Sequence, residues 1–118
     1  MKIIKALAAI AIVLPTLAFA QANTPGIDQR QANQERRIDQ GVASGSLTQR
    51  EANRLDRGQQ RVDNMENRAK ADGVVTRQER TRINRAQNVQ SERIYEQKHD
   101  RQHDFNHDGR VDRPARRR

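Results

Sequence analysis

The sequence predicts an all-α protein: a helical hairpin or three-helix arrangement with short glycine turns and a flexible C-terminal tail. The segments 44–51 and 72–79 repeat one pattern 28 residues apart, namely a glycine, an apolar residue and a Thr-x-x-Glu motif. Glycine favours the left-handed end of a helix, and Thr-x-x-Glu is the capping box that starts the next helix. Apolar residues between these turns follow helical spacing.

Three helices are predicted, at about 27–43, 49–71 and 77–102. In the second, apolar or small residues recur at spacings of 3 and 4, as in a helix that packs on other helices: Leu55, Gly58, Val62, Met65 and Ala69. The first offers Ile27, Ile38 and Val42, and the third offers Ile83, Ala86, Val89 or Gln90, and Ile94. Short connections favour antiparallel neighbours. Stripes this narrow also favour a homo-oligomer.

Residues 1–20 are predicted to be a cleaved Sec signal peptide. Two lysines precede an apolar run from Ala6 to Leu14, and Ala18-Phe19-Ala20 is a small-x-small cleavage site. The run is shorter than the roughly 20 residues of a membrane span. We therefore expect a periplasmic or secreted protein with no transmembrane segment after cleavage. The predicted organisation is a signal peptide at 1–20, a flexible leader at 21–26, a helical domain at 27–102 and a tail at 103–118.

The composition of residues 21–118 limits the function. Loss of Lys2 and Lys5 lowers the formal net charge from +8 to +6, and 19 of the 21 remaining basic residues are arginine. Only 13 residues are Val, Ile, Leu or Phe, so a disordered chain is the alternative to a small helical core. The chain has no cysteine and no glycine-rich phosphate loop, and only three serines remain after cleavage, so we expect no enzyme.

The arginines predict attraction to polyanions. The C-terminal cluster, Arg113 and Arg116 to Arg118, favours contact with an anionic cell-envelope surface. One tyrosine and one phenylalanine after cleavage provide no stacking platform, so a dedicated nucleic-acid site is not expected.

The tail contains the main candidate site, the segment Asp104-Phe105-Asn106-His107-Asp108-Gly109-Arg110-Val111-Asp112. It resembles an EF-hand calcium loop, D-x-[DN]-x-[DN]-G. The resemblance implies that Ca²⁺ is bound by the side chains of Asp104, Asn106 and Asp108, the carbonyl of Arg110, and Asp112 through water. Ala115 stands where the family has a bidentate Glu, which predicts weak affinity. An Asx-rich turn in a solvated tail is the alternative.

Two further patterns in the sequence bear on metal binding. The turns 40–51 and 68–79 share the loop's glycine and final glutamate but lack its ligands, so we expect no calcium there. His99, His103 and His107 are spaced by four residues. On a helix, His99 and His103 would share one face and could bind Zn²⁺ or another transition metal. The alternative is a charged helix end that complements the helix dipole.

The turns Leu47-Thr48-Gln49-Arg50-Glu51 and Val75-Thr76-Arg77-Gln78-Glu79 resemble the Leu-Thr-x-x-Gln repeats of Spy-type periplasmic stress chaperones, with glutamate replacing glutamine. The resemblance implies helical hairpins that dimerise into a cradle for unfolded clients or bind metals. Two functions are therefore expected: a small exported protein whose tail binds calcium weakly, or a Spy-like chaperone or stress protein acting through an arginine-rich helical surface.

Overall fold

The computed structural model describes residues 23–112 and confirms an all-helical chain in a three-helix arrangement. Helix α1 spans Pro25–Ala43, α2 spans Gln49–Lys70 and α3 spans Arg77–Lys98. The predicted signal peptide and the arginine cluster at 113–118 lie outside the described residues. No helix in the described part is both long and apolar enough to cross a membrane.

Both predicted capping boxes are confirmed. At the start of α2, the Thr48 hydroxyl accepts from the Glu51 amide at 3.3 Å, and the Glu51 carboxylate accepts from the Thr48 amide at 2.9 Å. Thr76 and Glu79 repeat the exchange at the start of α3. The glycines before the boxes have the left-handed φ expected of them, +76° at Gly45 and +82° at Gly73. These local signals set both turns.

Two boundaries differ from those predicted by two residues or more, and α2 ends one residue early, at Lys70. α1 begins at Pro25, inside the expected leader, because proline suits the first turn of a helix, where no partner for an amide is needed. Thr24 is also buried, at 1 % exposure. α3 ends at Lys98, four residues before the predicted position 102.

A buried charged group joins α1 to the end of α2. The Glu66 carboxylate accepts from the Thr24 hydroxyl and pairs with Lys70 at 2.6 Å. Lys70 also lies 3.7 Å from Asp28. Burial pushes the pKa of Glu66 up, but the hydrogen bonds from Lys70 and Thr24 outweigh it and leave this pKa below its usual value. Glu66 therefore stabilises the fold above its unfolded pKa, and this contribution is lost as the pH falls through the lowered value.

The apolar core consists of two small clusters. One contains Ile27, Val62, Ala69, Val75 and Ile83, and the other contains Ile38, Leu47, Ala52, Leu55 and Ile94. Each cluster takes one isoleucine from α1 and one from α3 in the same chain order. α1 and α3 therefore run in the same direction, with α2 antiparallel to both.

Buried glutamines fill the space between the two clusters. Gln87 donates to the Ile27 carbonyl at 3.0 Å, and Gln90 donates to the Leu55 carbonyl at 2.7 Å. Gln34 binds the Gln87 carbonyl and Gln59 binds the Gln31 carbonyl, at 2.8 and 3.4 Å. All five glutamines are less than a tenth exposed. Hydrogen bonds to helix backbones thus replace apolar packing at the middle of the bundle.

Candidate functional site

The tail segment 103–112 packs against the turn between α1 and α2. The Asp104 amide donates to the Gly45 carbonyl at 2.8 Å. A Cβ built on Gly45 would lie 2.6 Å from the Asp104 carbonyl oxygen and 2.7 Å from the Phe105 Cα. Asp104 itself is 5 % exposed. The sequence did not predict this contact between residues 103–112 and the helical domain.

Asp104 organises the segment that follows it. Its two carboxylate oxygens accept from the amides of Asp108 and Gly109, both at 3.0 Å. The ends of the loop are joined as well, since the Asp112 amide donates to the His103 carbonyl at 2.7 Å and the Phe105 amide donates to the Asp112 carboxylate at 2.6 Å. The segment 104–112 is therefore a closed loop, which we call the tail loop.

Inside the tail loop the predicted ligands bind backbone amides. Asn106 accepts from the Asp108 amide at 3.0 Å, and Asp108 accepts from the Arg110 amide at 2.8 Å. The φ of Gly109 is +78°, which glycine allows and which the sharp turn of such a loop requires. The polar side chains thus shape the loop through hydrogen bonds to its own backbone.

The donor set of the tail loop suits a hard cation, because three carboxylates, one amide oxygen and a carbonyl all offer oxygen. Residues 23–112 nevertheless contain no group of three or more His, Asp or Glu side chains positioned to hold a metal ion. Calcium binding would therefore require Asp108 and Asp112 to exchange their backbone hydrogen bonds for the ion. Ala115, at the twelfth loop position, lies outside the described residues.

The helix on which the predicted transition-metal pair depends ends before the second histidine. His99 is the C-cap of α3, so His103 lies beyond the helix and not one turn along it. The His99 ring lies 2.7 Å from the Tyr95 carbonyl and stacks on the Tyr95 ring. His103 stacks on Phe105 with centroids 4.8 Å apart. The shared helical face on which the Zn²⁺ prediction rested is absent, since α3 stops at Lys98.

A buried carboxylate lies beside the start of the tail. Glu51 is 2 % exposed and accepts from both the amide and the hydroxyl of Thr48. Burial raises the pKa of Glu51, the hydrogen bonds from Thr48 lower it in part, and the nearby Asp100 carboxyl raises it further. Folding therefore favours protonation of Glu51, and stability is gained as the pH falls through the raised pKa.

We expect Glu51→Gln to leave the protein at least as stable at pH 7, because glutamine also serves in a capping box and carries no buried charge. The advantage over the parent should shrink between pH 7 and pH 4, as Glu51 becomes protonated in the parent. Urea unfolding at both pH values measures this difference. Glu79→Gln, at the same position of the more exposed box of α3, is the matched control. A loss of about 1 kcal/mol at pH 7 would contradict the expectation.

Two grooves of opposite charge run along α2. The first, between α2 and α3, has a volume of 390 Å³ and is called the arginine groove. Its floor contains Val62, Met65, Ala86 and Val89, and its rim contains Arg61, Arg82, Arg85 and Arg93. The second, the acidic groove, is lined by Glu35, Asp39, Asp56, Gln59, Gln60 and Asp63. Burial raises the pKa of Asp63, and the neighbouring Glu66 adds to the rise.

Comparison of the chain with protein-family models, with curated proteins and with solved structures found no match. Neither the EF-hand resemblance nor the Spy-type resemblance is supported by these comparisons, and both remain predictions from short motifs.

Sequence reasoning offered Gln90 as an alternative to Val89 but missed the other buried glutamines and the arginine groove. A signal for the glutamines exists, because Ile27-Gln31-Gln34-Ile38 and Ile83-Gln87-Gln90-Ile94 have identical spacing. The repeat also extends to the tail, since Asp104 follows Thr76 by the same 28 residues that separate Thr76 from Thr48. Asp104 thus occupies the position of the helix-starting threonines and, like them, accepts from backbone amides downstream.

Proposed function

We propose that this chain is an exported helical protein whose tail loop binds calcium weakly. The observation that carries the proposal is the buried Asp104, which draws the amides of Asp108 and Gly109 around its carboxylate. This arrangement brings Asn106, Asp108 and Asp112 into one closed loop that is packed on the helical domain. The conformational entropy of the loop is then lost on folding and does not oppose calcium binding.

Calcium should stabilise the fold, because the tail loop contacts the turn at Gly45. With a dissociation constant of about 1 mM, as in weak extracellular sites, about 10 mM Ca²⁺ adds roughly 1.4 kcal/mol to the free energy of unfolding. Thermal unfolding of the chain from Gln21 to Arg118, with chelator and with Ca²⁺, measures the shift. Zn²⁺ is expected to give a smaller shift, since the two histidines do not share a helical face.

The variant Asp108→Asn should abolish the calcium response, because it removes an exposed carboxylate of the loop. Two controls retain the loop. Glu92→Gln removes an exposed acid of α3, and Asp39→Asn removes one from the acidic groove. Both should leave the calcium shift unchanged. A response that disappears with Asp39→Asn and persists with Asp108→Asn would move the site to the acidic groove and contradict the proposal.

A second candidate function is client binding of the kind that the Spy-type resemblance implies. The arginine groove supports it, because it offers an apolar floor inside a cationic rim. Val89→Glu places a carboxylate in that floor and should reduce suppression of aggregation of a heat-denatured reference enzyme. Suppression that is equal in Val89→Glu and the parent would exclude the groove as the client surface.

A further inference from the structure

The rim of the arginine groove carries uncompensated positive charge. No acidic residue lines this groove, and none lines the adjoining pocket that adds Arg54 and Arg57 to the same face. Within residues 23–112 both side-chain ion pairs are made by Lys70, so no rim arginine is neutralised in this way. Guanidinium groups donate two parallel hydrogen bonds to a phosphate or carboxylate. The rim is therefore suited to an anionic group.

The floor of the groove is apolar and open. Val89 is 43 % exposed although it lines the groove between α2 and α3, and Met65 and Ala86 are partly buried against the core. Gly58 adds no side chain at this point, and a Cβ there would collide with the Gln90 amide. A volume of 390 Å³ falls at the small end of ligand sites. The floor therefore has room for a narrow apolar chain.

Neither the rest of this chain nor a folded protein partner suits the groove. The two ends outside the described residues are basic, with Lys2 and Lys5 at one end and Arg113 and Arg116 to Arg118 at the other. The acidic groove of a second copy is lined by polar side chains alone and offers nothing for the floor. A stable protein interface buries about 800 Å² on each side around an apolar centre, and Val89 is the one large apolar residue of the floor that is substantially exposed.

We propose that the arginine groove binds a single-chain anionic amphiphile. Its charged head lies among the rim arginines, and its hydrocarbon chain lies along Val62, Met65 and Val89. Binding requires both parts of the amphiphile. Salt anions would compete with the charged head alone, and the apolar floor is too short to hold the hydrocarbon chain alone. The site shares no residue with the tail loop, so it functions independently of calcium.

Dodecyl phosphate below its micellar concentration is the probe, titrated by calorimetry into the chain from Gln21 to Arg118, which contains all three helices. The titration is made with chelator, which separates it from the calcium proposal. We expect one binding site per chain and an affinity that falls when salt is added. Dodecyl maltoside, which is neutral, and dodecyltrimethylammonium, which is cationic, should bind at least about tenfold more weakly. Neither head group can accept charge-assisted hydrogen bonds from the rim arginines as a phosphate does. The arginines also repel the cationic head.

Two matched pairs of variants test the site. Val89→Glu should weaken dodecyl phosphate binding at least about tenfold through like-charge repulsion, whereas Val74→Glu, at a more exposed position in the turn before α3, should not. Arg85→Gln should weaken binding about tenfold and Arg80→Gln, outside the groove, less than about twofold. Equal affinity for the neutral amphiphile, or full affinity in Val89→Glu, would overturn the proposal. So would binding of an acidic peptide or anionic vesicles without binding of the monomeric amphiphile.

Discussion

Gly45→Ala is expected to destabilise the protein by about 2–5 kcal/mol. Alanine in the left-handed conformation costs roughly 1–2 kcal/mol, and a Cβ at this position would lie 2.6 Å from the Asp104 carbonyl oxygen. The neighbours are backbone atoms of the tail loop, so they cannot give way by a change of rotamer. Overpacking of this kind costs about 1–3 kcal/mol more. Urea unfolding followed by circular dichroism measures the loss.

Gly73→Ala is the matched control for this variant. Gly73 has nearly the same φ, +82°, but no atom lies within 4 Å of the Cβ that alanine would add. It should therefore lose only the conformational part, about 1–2 kcal/mol. In Gly45→Ala, hydrogen exchange at the amides of Asp104 and Asp112 should also accelerate, because the tail loop leaves the turn. Equal losses in the two variants would show that the tail loop contributes nothing at Gly45.

Ile94→Ala is the second substitution with a large expected effect. The side chain is fully buried, at 0 % exposure, in the cluster with Ile38, Leu47 and Leu55. Truncation of a buried isoleucine costs about 2–5 kcal/mol, a large share of the roughly 5–15 kcal/mol that stabilises a typical domain. Only four other buried apolar side chains form this cluster, so little packing remains to compensate for the loss. We therefore expect a large drop in the thermal midpoint, or a chain that is unfolded at 37 °C.

Val74→Ala is the control, since Val74 is 64 % exposed in the turn before α3 and should change stability by less than about 0.5 kcal/mol. Leu47 belongs to the Ile94 cluster and lies in the same turn as Gly45, where its amide donates to the Gly41 carbonyl at 2.9 Å. Loss of Ile94 should therefore also speed hydrogen exchange in the tail loop. A stability loss below about 1 kcal/mol in Ile94→Ala would contradict the two-cluster core.

The features that could be predicted from the sequence are the local ones. Thr48 with Glu51 and Thr76 with Glu79 form their capping boxes within four residues, so no tertiary contact was needed to recognise them. The stripe of α2 was also recognisable, because Leu55, Val62 and Ala69 are apolar and are all buried.

The features that could not be predicted depend on contacts between distant residues. Gln87 is polar, and its burial follows only from its bond to the Ile27 carbonyl, 60 residues away. In α3 the buried stripe includes Gln90 and leaves Val89 exposed. Hydrophobicity alone would predict that Val89 is buried and Gln90 exposed. The contact between Asp104 and Gly45 is of the same kind. A segment with several aspartates and a glycine is typical of a solvated turn, and its sequence does not indicate that it contacts Gly45.

Calcium binding by the tail loop is tested most directly by a titration of the ¹⁵N-labelled chain, followed through its amide resonances. Up to about 10 mM Ca²⁺, roughly ten times the expected dissociation constant, the amides of Asp108, Gly109 and Asp112 should shift together, and the amide of Gly45 should follow because the loop contacts it. The amide of Gly58, in the arginine groove, should stay in place. Shifts confined to the acidic groove, or no shift in the tail loop at that concentration, would contradict calcium binding by this loop.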